Sequence, residues 1–91
     1  MEKDTAATCL KRLSKIEGQV RGIARMVEDN RYCIDIVTQI AAVRAALRRV
    51  EEAVLEDHVN HCVAHAITSG DADEQRKKIA ELMEVFARAN R

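Results

Sequence analysis

The chain contains no proline and no tryptophan, only three glycines, and only two aromatic side chains, Tyr32 and Phe86. Sheets draw on aromatic and β-branched residues, so this poverty argues against a β architecture. Without proline, no helix is broken by a missing backbone N–H. Net charge is also missing: 15 Lys and Arg balance 15 Asp and Glu, which excludes a uniformly basic nucleic-acid tail. No apolar run approaches the ~18 residues of a membrane span. The opening Met1-Glu2-Lys3-Asp4 carries no secretory-signal pattern, so a cytoplasmic protein with no membrane partner is expected.

What is present is a helix-former's composition. Of the 91 residues, 47% are hydrophobic and 33% charged, and alanine takes 14 positions. The length fits one domain, 1–91. Small side chains make a thin core, and a short chain buries proportionally little surface, so association with further copies is expected.

Three helical stretches can be read. Leu13, Ile16, Val20, Ile23 and Val27 recur at steps of three and four, one apolar stripe on a helix of about 5–28. Glu28-Asp29-Asn30-Arg31 breaks it. Ile36, Ile40, Val43, Leu47, Val50 and Val54 form a second stripe, continued by Val59, Val63 and Ile67, on one long central helix of about 33–68. Ser69-Gly70-Asp71 reads as a C-terminal glycine followed by an N-cap aspartate. A third helix, about 74–89, carries Ile79, Leu82, Met83 and Phe86. The fold class is therefore all-α, a three-helix protomer. It has no helix-turn-helix, because Gly18 and Gly22 lie inside the first stripe and not in a tight turn between short helices.

Chemistry concentrates on the central helix. His58 and Cys62, four residues apart, share one helix face and can hold one ion. Cys33 is 25 residues before His58, about 37 Å along a straight axis, so one chain cannot bring them together. In an antiparallel pair of identical helices, facing residues have a constant number sum. Cys33 gives 91 with His58 and 95 with Cys62, which puts the two-fold axis near Ala45-Ala46-Leu47. Each dimer then carries two equivalent sites, one Cys33 facing the partner's His58 and Cys62. Two thiolates and an imidazole are a soft set that favours Cu(I). Zinc usually takes a fourth ligand, and His61 leaves zinc or cobalt open. The plain alternative is that the cysteines are small hydrophobes. Cys9, on the first helix, is read as incidental.

Basic residues form the second constellation. Lys11, Arg12 and Lys15 share part of a surface, Arg21 and Arg25 are four apart, and Arg44, Arg48 and Arg49 cluster on the central helix. Residues 10–49 hold nine basic and four acidic side chains. Repeated in every subunit, that excess suits a polyanion.

These residues together resemble the copper-sensitive operon repressor family. The matching stretches are Arg12-Leu13, Ile16-Glu17-Gly18-Gln19-Val20-Arg21-Gly22-Ile23, Arg31-Tyr32-Cys33, Gln39-Ile40-Ala41-Ala42-Val43 with Ala45-Ala46-Leu47, and His58 through Cys62. The resemblance implies a homotetramer, a dimer of antiparallel dimers, that binds operator double-stranded DNA when metal-free. One Cu(I) per subunit, held by Cys33 of one chain and by His58 and Cys62 of the next, would release the DNA and derepress copper efflux genes. It implies supporting roles for Tyr32 and Glu81 around the metal, and DNA contact by Arg12 and Arg49, beside which Lys15, Arg21 and Arg48 are expected to act. Nickel and cobalt sensors of the same fold use an N-terminal histidine and a histidine at the place of Cys62. Persulfide sensors lack the equivalent of His58, and formaldehyde sensors lack that of Cys62. The ligand set therefore sorts with the copper sensors. A persulfide, thiol or zinc sensor and a copper-buffering protein are the competing readings. No enzyme is expected, since no phosphate loop or nucleophile–base pair is present.

Overall fold

The computed structural model describes residues 1–89 and is helical throughout, with no strand among the described residues. Helix α1 runs Lys3–Glu28, α2 Cys33–His58, α3 Ala64–Thr68 and α4 Ala72–Ala89. Val59–Val63 links α2 to α3 as a π-helical turn. The expected central helix of 33–68 is therefore helical along its whole length but changes its winding at 59–63. None of the described helices is long and apolar enough to cross a membrane. The chain divides into two compact units, Met1–Leu55 and a second beginning at Glu56.

In the first unit, α1 ends in a Schellman motif. The Arg31 N–H donates to the Met26 carbonyl at 3.0 Å and that of Asn30 to Val27 at 3.2 Å. Asn30 takes the left-handed position at φ 54°, which asparagine tolerates better than most side chains. Residues 29–32 are thus a short connection that folds α2 back on α1 as an αα-hairpin. Its core is Cys9, Ile16, Val43 and Val50, with Ile23, Ala46 and Ala53 packed against them. Cys9 is 4% exposed and Ile16 6%, so Cys9 serves as a core side chain.

The apolar stripe of α1 splits into two columns. Cys9, Ile16 and Ile23, each seven apart, face the hairpin core. Leu13, Val20 and Val27, also seven apart, stay exposed. On α2, Val43 and Val50 are buried, whereas Ile40, Leu47 and Val54 remain exposed, Leu47 at 44%. A hairpin buries one seam per helix, and the second column on each is the pattern of helices built to meet further helices.

In the second unit, α4 packs against both the π turn and α3, and Val63 and Ala66 are buried. Gly70, at φ 73°, ends α3. The Asp71 carboxylate then accepts the N–H of Asp73 at 3.0 Å and of Glu74 at 3.2 Å, starting α4 two residues before the expected position. The Gln75 amide returns to the Ile67 carbonyl at 3.2 Å and ties α4 to the end of α3.

Candidate metal centre and basic groove

Cys33 is the first residue of α2. The Tyr32 carbonyl accepts the N–H of Asp35 at 3.0 Å and of Ile36 at 3.3 Å, so the helix opens on the cysteine with Tyr32 just outside it. Both side chains are exposed, Tyr32 at 69%. All three cysteines are free thiols; Cys33 and Cys62 are exposed and Cys9 is buried.

His58 closes α2, half-buried, and Cys62 lies within the π turn. Asp57, directly before His58, is 7% exposed. A carboxylate that far from water needs polar partners, and the His61 ring supplies one: its Nδ1 is 3.6 Å from Asp57 Oδ1 and 3.0 Å from the Asp57 carbonyl oxygen. Nothing in the composition or the apolar spacing marked Asp57 or the change of winding. The one visible signal was a run of weak helix formers, Val59-Asn60-His61.

Glu81 lies on α4, the helix packed on the π turn. Its Oε2 is 3.7 Å from Lys78 Nζ, which is also 3.9 Å from Glu74 Oε1. Among the described residues no hydrogen bond joins Glu81 to His58. The second unit thus holds the His58–Cys62 pair, while Cys33 and Tyr32 belong to the first. Two thiols and one imidazole make a donor set that fits a soft monovalent ion better than Mg(II) or Ca(II).

The first unit gathers the basic residues. Arg12, Lys15, Ile16 and Gln19 of α1 line a groove of about 320 Å³ with Ala46 and Arg49 of α2. A second depression, about 420 Å³, is lined by Ala41, Arg44, Ala45, Arg48, Arg49 and Glu52. Arg49 borders both. Of the five expected DNA residues, Arg12, Lys15 and Arg49 therefore share one groove, and Arg48 joins Arg49 in the next. Arg44 belongs with them on equal terms. Arg21 stands apart, its guanidinium 2.7 Å from Glu17 on the exposed face of α1.

The helical hairpin, the neighbouring imidazole and thiol, and the basic groove give a small all-α protein with donors suited to a soft ion and a surface suited to a polyanion. The model of the metal-sensitive transcriptional repressor family matches residues 5–88, and the chain belongs to that family. It is 57% identical over 75 residues to the copper-sensing transcriptional repressor CsoR of Bacillus subtilis, spanning 82% of this chain and 71% of that protein. It is 48% identical over 87 residues to the copper-sensing transcriptional repressor RicR of Mycobacterium tuberculosis, spanning 96% and 86%. The crystal structure of the copper-sensing repressor CsoR with Cu(I) from Geobacillus thermodenitrificans superposes with a TM-score of 0.90 at 49% identity, covering all of this chain and 92% of that one.

Proposed function

We propose that this chain is a cytoplasmic Cu(I)-responsive transcriptional repressor that binds operator DNA when metal-free and releases it on binding Cu(I). The observation that carries this reading is the donor set. Cys33, His58 and Cys62 are two soft thiols and one imidazole, in a chain 57% identical to a copper-sensing repressor. A zinc or cobalt sensor would draw on a fourth ligand, and the persulfide reading leaves the His58 imidazole without a role.

One Cu(I) per subunit would be held by Cys33 of one protomer with His58 and Cys62 of its partner. The exposed column on α2 supports the antiparallel dimer. Ile40 and Val54 share a residue-number sum of 94, and Leu47 paired with its own copy gives the same 94, close to the 95 of Cys33 with Cys62. One register therefore covers the apolar column and gathers the ligands. Two such dimers make the tetramer, and the family model running through both compact units supports a single functional domain, 1–91. Tyr32 and Glu81 would orient the ligands, as ligating histidines commonly hand their second N–H to an acceptor; Glu81 would have to leave Lys78 to do so.

On the DNA side, Arg12, Lys15 and Arg49 would hold phosphates in the groove between α1 and α2, with Arg48 beside them and Arg21 at the margin. Coupling follows from linkage: an ion that binds the DNA-free arrangement more tightly lowers DNA affinity by the same factor.

The test is anisotropy of a labelled operator duplex under anaerobic conditions. Metal-free protein is expected to bind it, and one equivalent of Cu(I) per chain is expected to release it. Tight Cu(I) binding that leaves DNA affinity unchanged would replace the repressor reading with copper buffering.

A further inference from the structure

The two basic depressions of the first unit differ in what else lines them. The larger one includes a carboxylate, Glu52, beside Arg44, Arg48 and Arg49. The groove between α1 and α2 has none: its charged lining is Arg12, Lys15 and Arg49. Its floor is fixed, because Ile16 belongs to the hairpin core and Ala46 packs against that core. One further polar side chain lines it, Gln19, which is exposed on α1. Arg12, Lys15 and Gln19 follow one another at steps of three and four, so a single face of α1 carries all three. From Arg12 to Gln19 is about 10.5 Å along the helix axis.

The amide differs in kind from its neighbours. Lysine and arginine donate hydrogen bonds and accept none, and on phosphates they fix position without carrying sequence information. An amide offers an acceptor and two donors in one plane. Against a phosphate its carbonyl oxygen would face negative oxygens, and only the donors would be used. Against adenine both sides are used: the carbonyl accepts from N6–H and the amide N–H donates to N7, on the edge that the major groove exposes to an α-helix. Among the described residues none hydrogen-bonds the Gln19 side chain, so no partner within the chain holds the amide.

We propose that Gln19 is the base-reading residue of this groove: with Arg12, Lys15 and Arg49 on phosphates, its amide hydrogen-bonds the major-groove edge of an adenine in the operator. This rests on the reading of the chain as a DNA-binding repressor. The groove then separates two tasks, with three cations setting affinity for any duplex and one amide setting discrimination among sequences.

The test uses full-length, metal-free protein under anaerobic conditions. Wild type first selects duplexes from a pool randomised in sequence. Anisotropy then measures its affinity for the selected duplex and for each single-base-pair substitution of it. Wild type is expected to prefer adenine at one position, and at its symmetry mate, by about 5- to 150-fold over the other bases. Gln19→Ala is expected to lose that preference and keep the rest of the profile. Alanine suits an exposed helical position, so the variant is expected to fold with unchanged helicity by circular dichroism. Its affinity for a random duplex and its slope of log K against log salt are expected to match wild type, since no charge is removed. A Gln19→Ala profile unchanged at every position would overturn the proposal. So would equal weakening on all duplexes, which would make Gln19 one more phosphate contact, or relaxation at a G·C pair. If wild type enriches no sequence, the repressor reading fails and the assignment of Gln19 falls with it. Enrichment by wild type with an unaltered profile in Gln19→Ala strikes the assignment alone.

Discussion

At the scale of single residues, charge and softness divide the work between two sets. Cys33, His58 and Cys62, the proposed ligands, carry the softness, and this candidate set was legible because side-chain type and interval are properties of the sequence itself. Replacing Cys62 with serine exchanges a thiolate for a poor Cu(I) ligand. Cys62→Ser is therefore expected to bind operator DNA as wild type does and to stay bound as Cu(I) is added, measured by anisotropy. The charged set separates by its surroundings. Arg12 and Arg49 line the groove, whereas Arg21 is occupied by Glu17 at 2.7 Å, an exposed pair that contributes little stability but offsets the cation's charge. Arg12→Ala is expected to weaken DNA binding on all sequences and to lower the slope of log K against log salt by about 1. Arg21→Ala is expected to change that slope less, in the same titrations. The basic cluster was legible as composition. Which arginines share a groove was not, because that depends on how α1 and α2 face each other.

At the scale of elements, caps were the legible part. Ser69-Gly70-Asp71 marks an end and a beginning because the left-handed turn and the N-cap oxygen are properties of glycine and aspartate themselves. Asp71 accepts two N–H groups of the first turn of α4. Asp71→Ala is expected to cost about 1 kcal/mol and to lower the thermal midpoint by several degrees, about 4–8 °C for a domain of this size if unfolding is two-state. At the end of α1, Asn30→Gly is expected to be tolerated, since glycine accepts φ 54° without the clash of a Cβ. Asn30→Val is expected to be destabilising by about 1–2 kcal/mol, both read by denaturant melts. The π turn was not legible. Apolar periodicity reports which face is buried, and Val59 and Val63 keep that face whether the winding is α or π; a ring nitrogen taking a backbone carbonyl leaves no trace in such a pattern.

At the scale of the whole molecule, the core is small. The buried apolar residues among those described are Cys9, Ile16, Val43, Val50, Val63 and Ala66, and the alanine-rich composition foreshadowed it. The exposed columns Leu13–Val20–Val27 and Ile40–Leu47–Val54 are the complement of that thin core. Full burial of such a side chain is worth about 1.5–3 kcal/mol, so a partner chain covering several of them offsets the entropy of association. The proposed two-fold axis passes beside Leu47. Leu47→Glu would face its own copy and set two like charges against each other across an apolar seam. It is expected to shift the oligomer to monomer in light scattering, and with it to abolish both Cu(I) binding and DNA binding. Wild type is expected to show a thermal midpoint that rises with protein concentration.

The central claim is that each copper site is assembled from two chains, and mixing variants tests it most directly. Cys33→Ala and Cys62→Ala, each alone, lack a ligand in every site. In a mixed dimer one site loses ligands from both sides, and the other keeps Cys33 from one chain with His58 and Cys62 from the other. Cu(I) titration of the purified mixed dimer, with X-ray absorption, is expected to find one tight site per dimer with two sulfurs and one nitrogen. No tight site, or two, would contradict the shared centre and the antiparallel pairing that builds it.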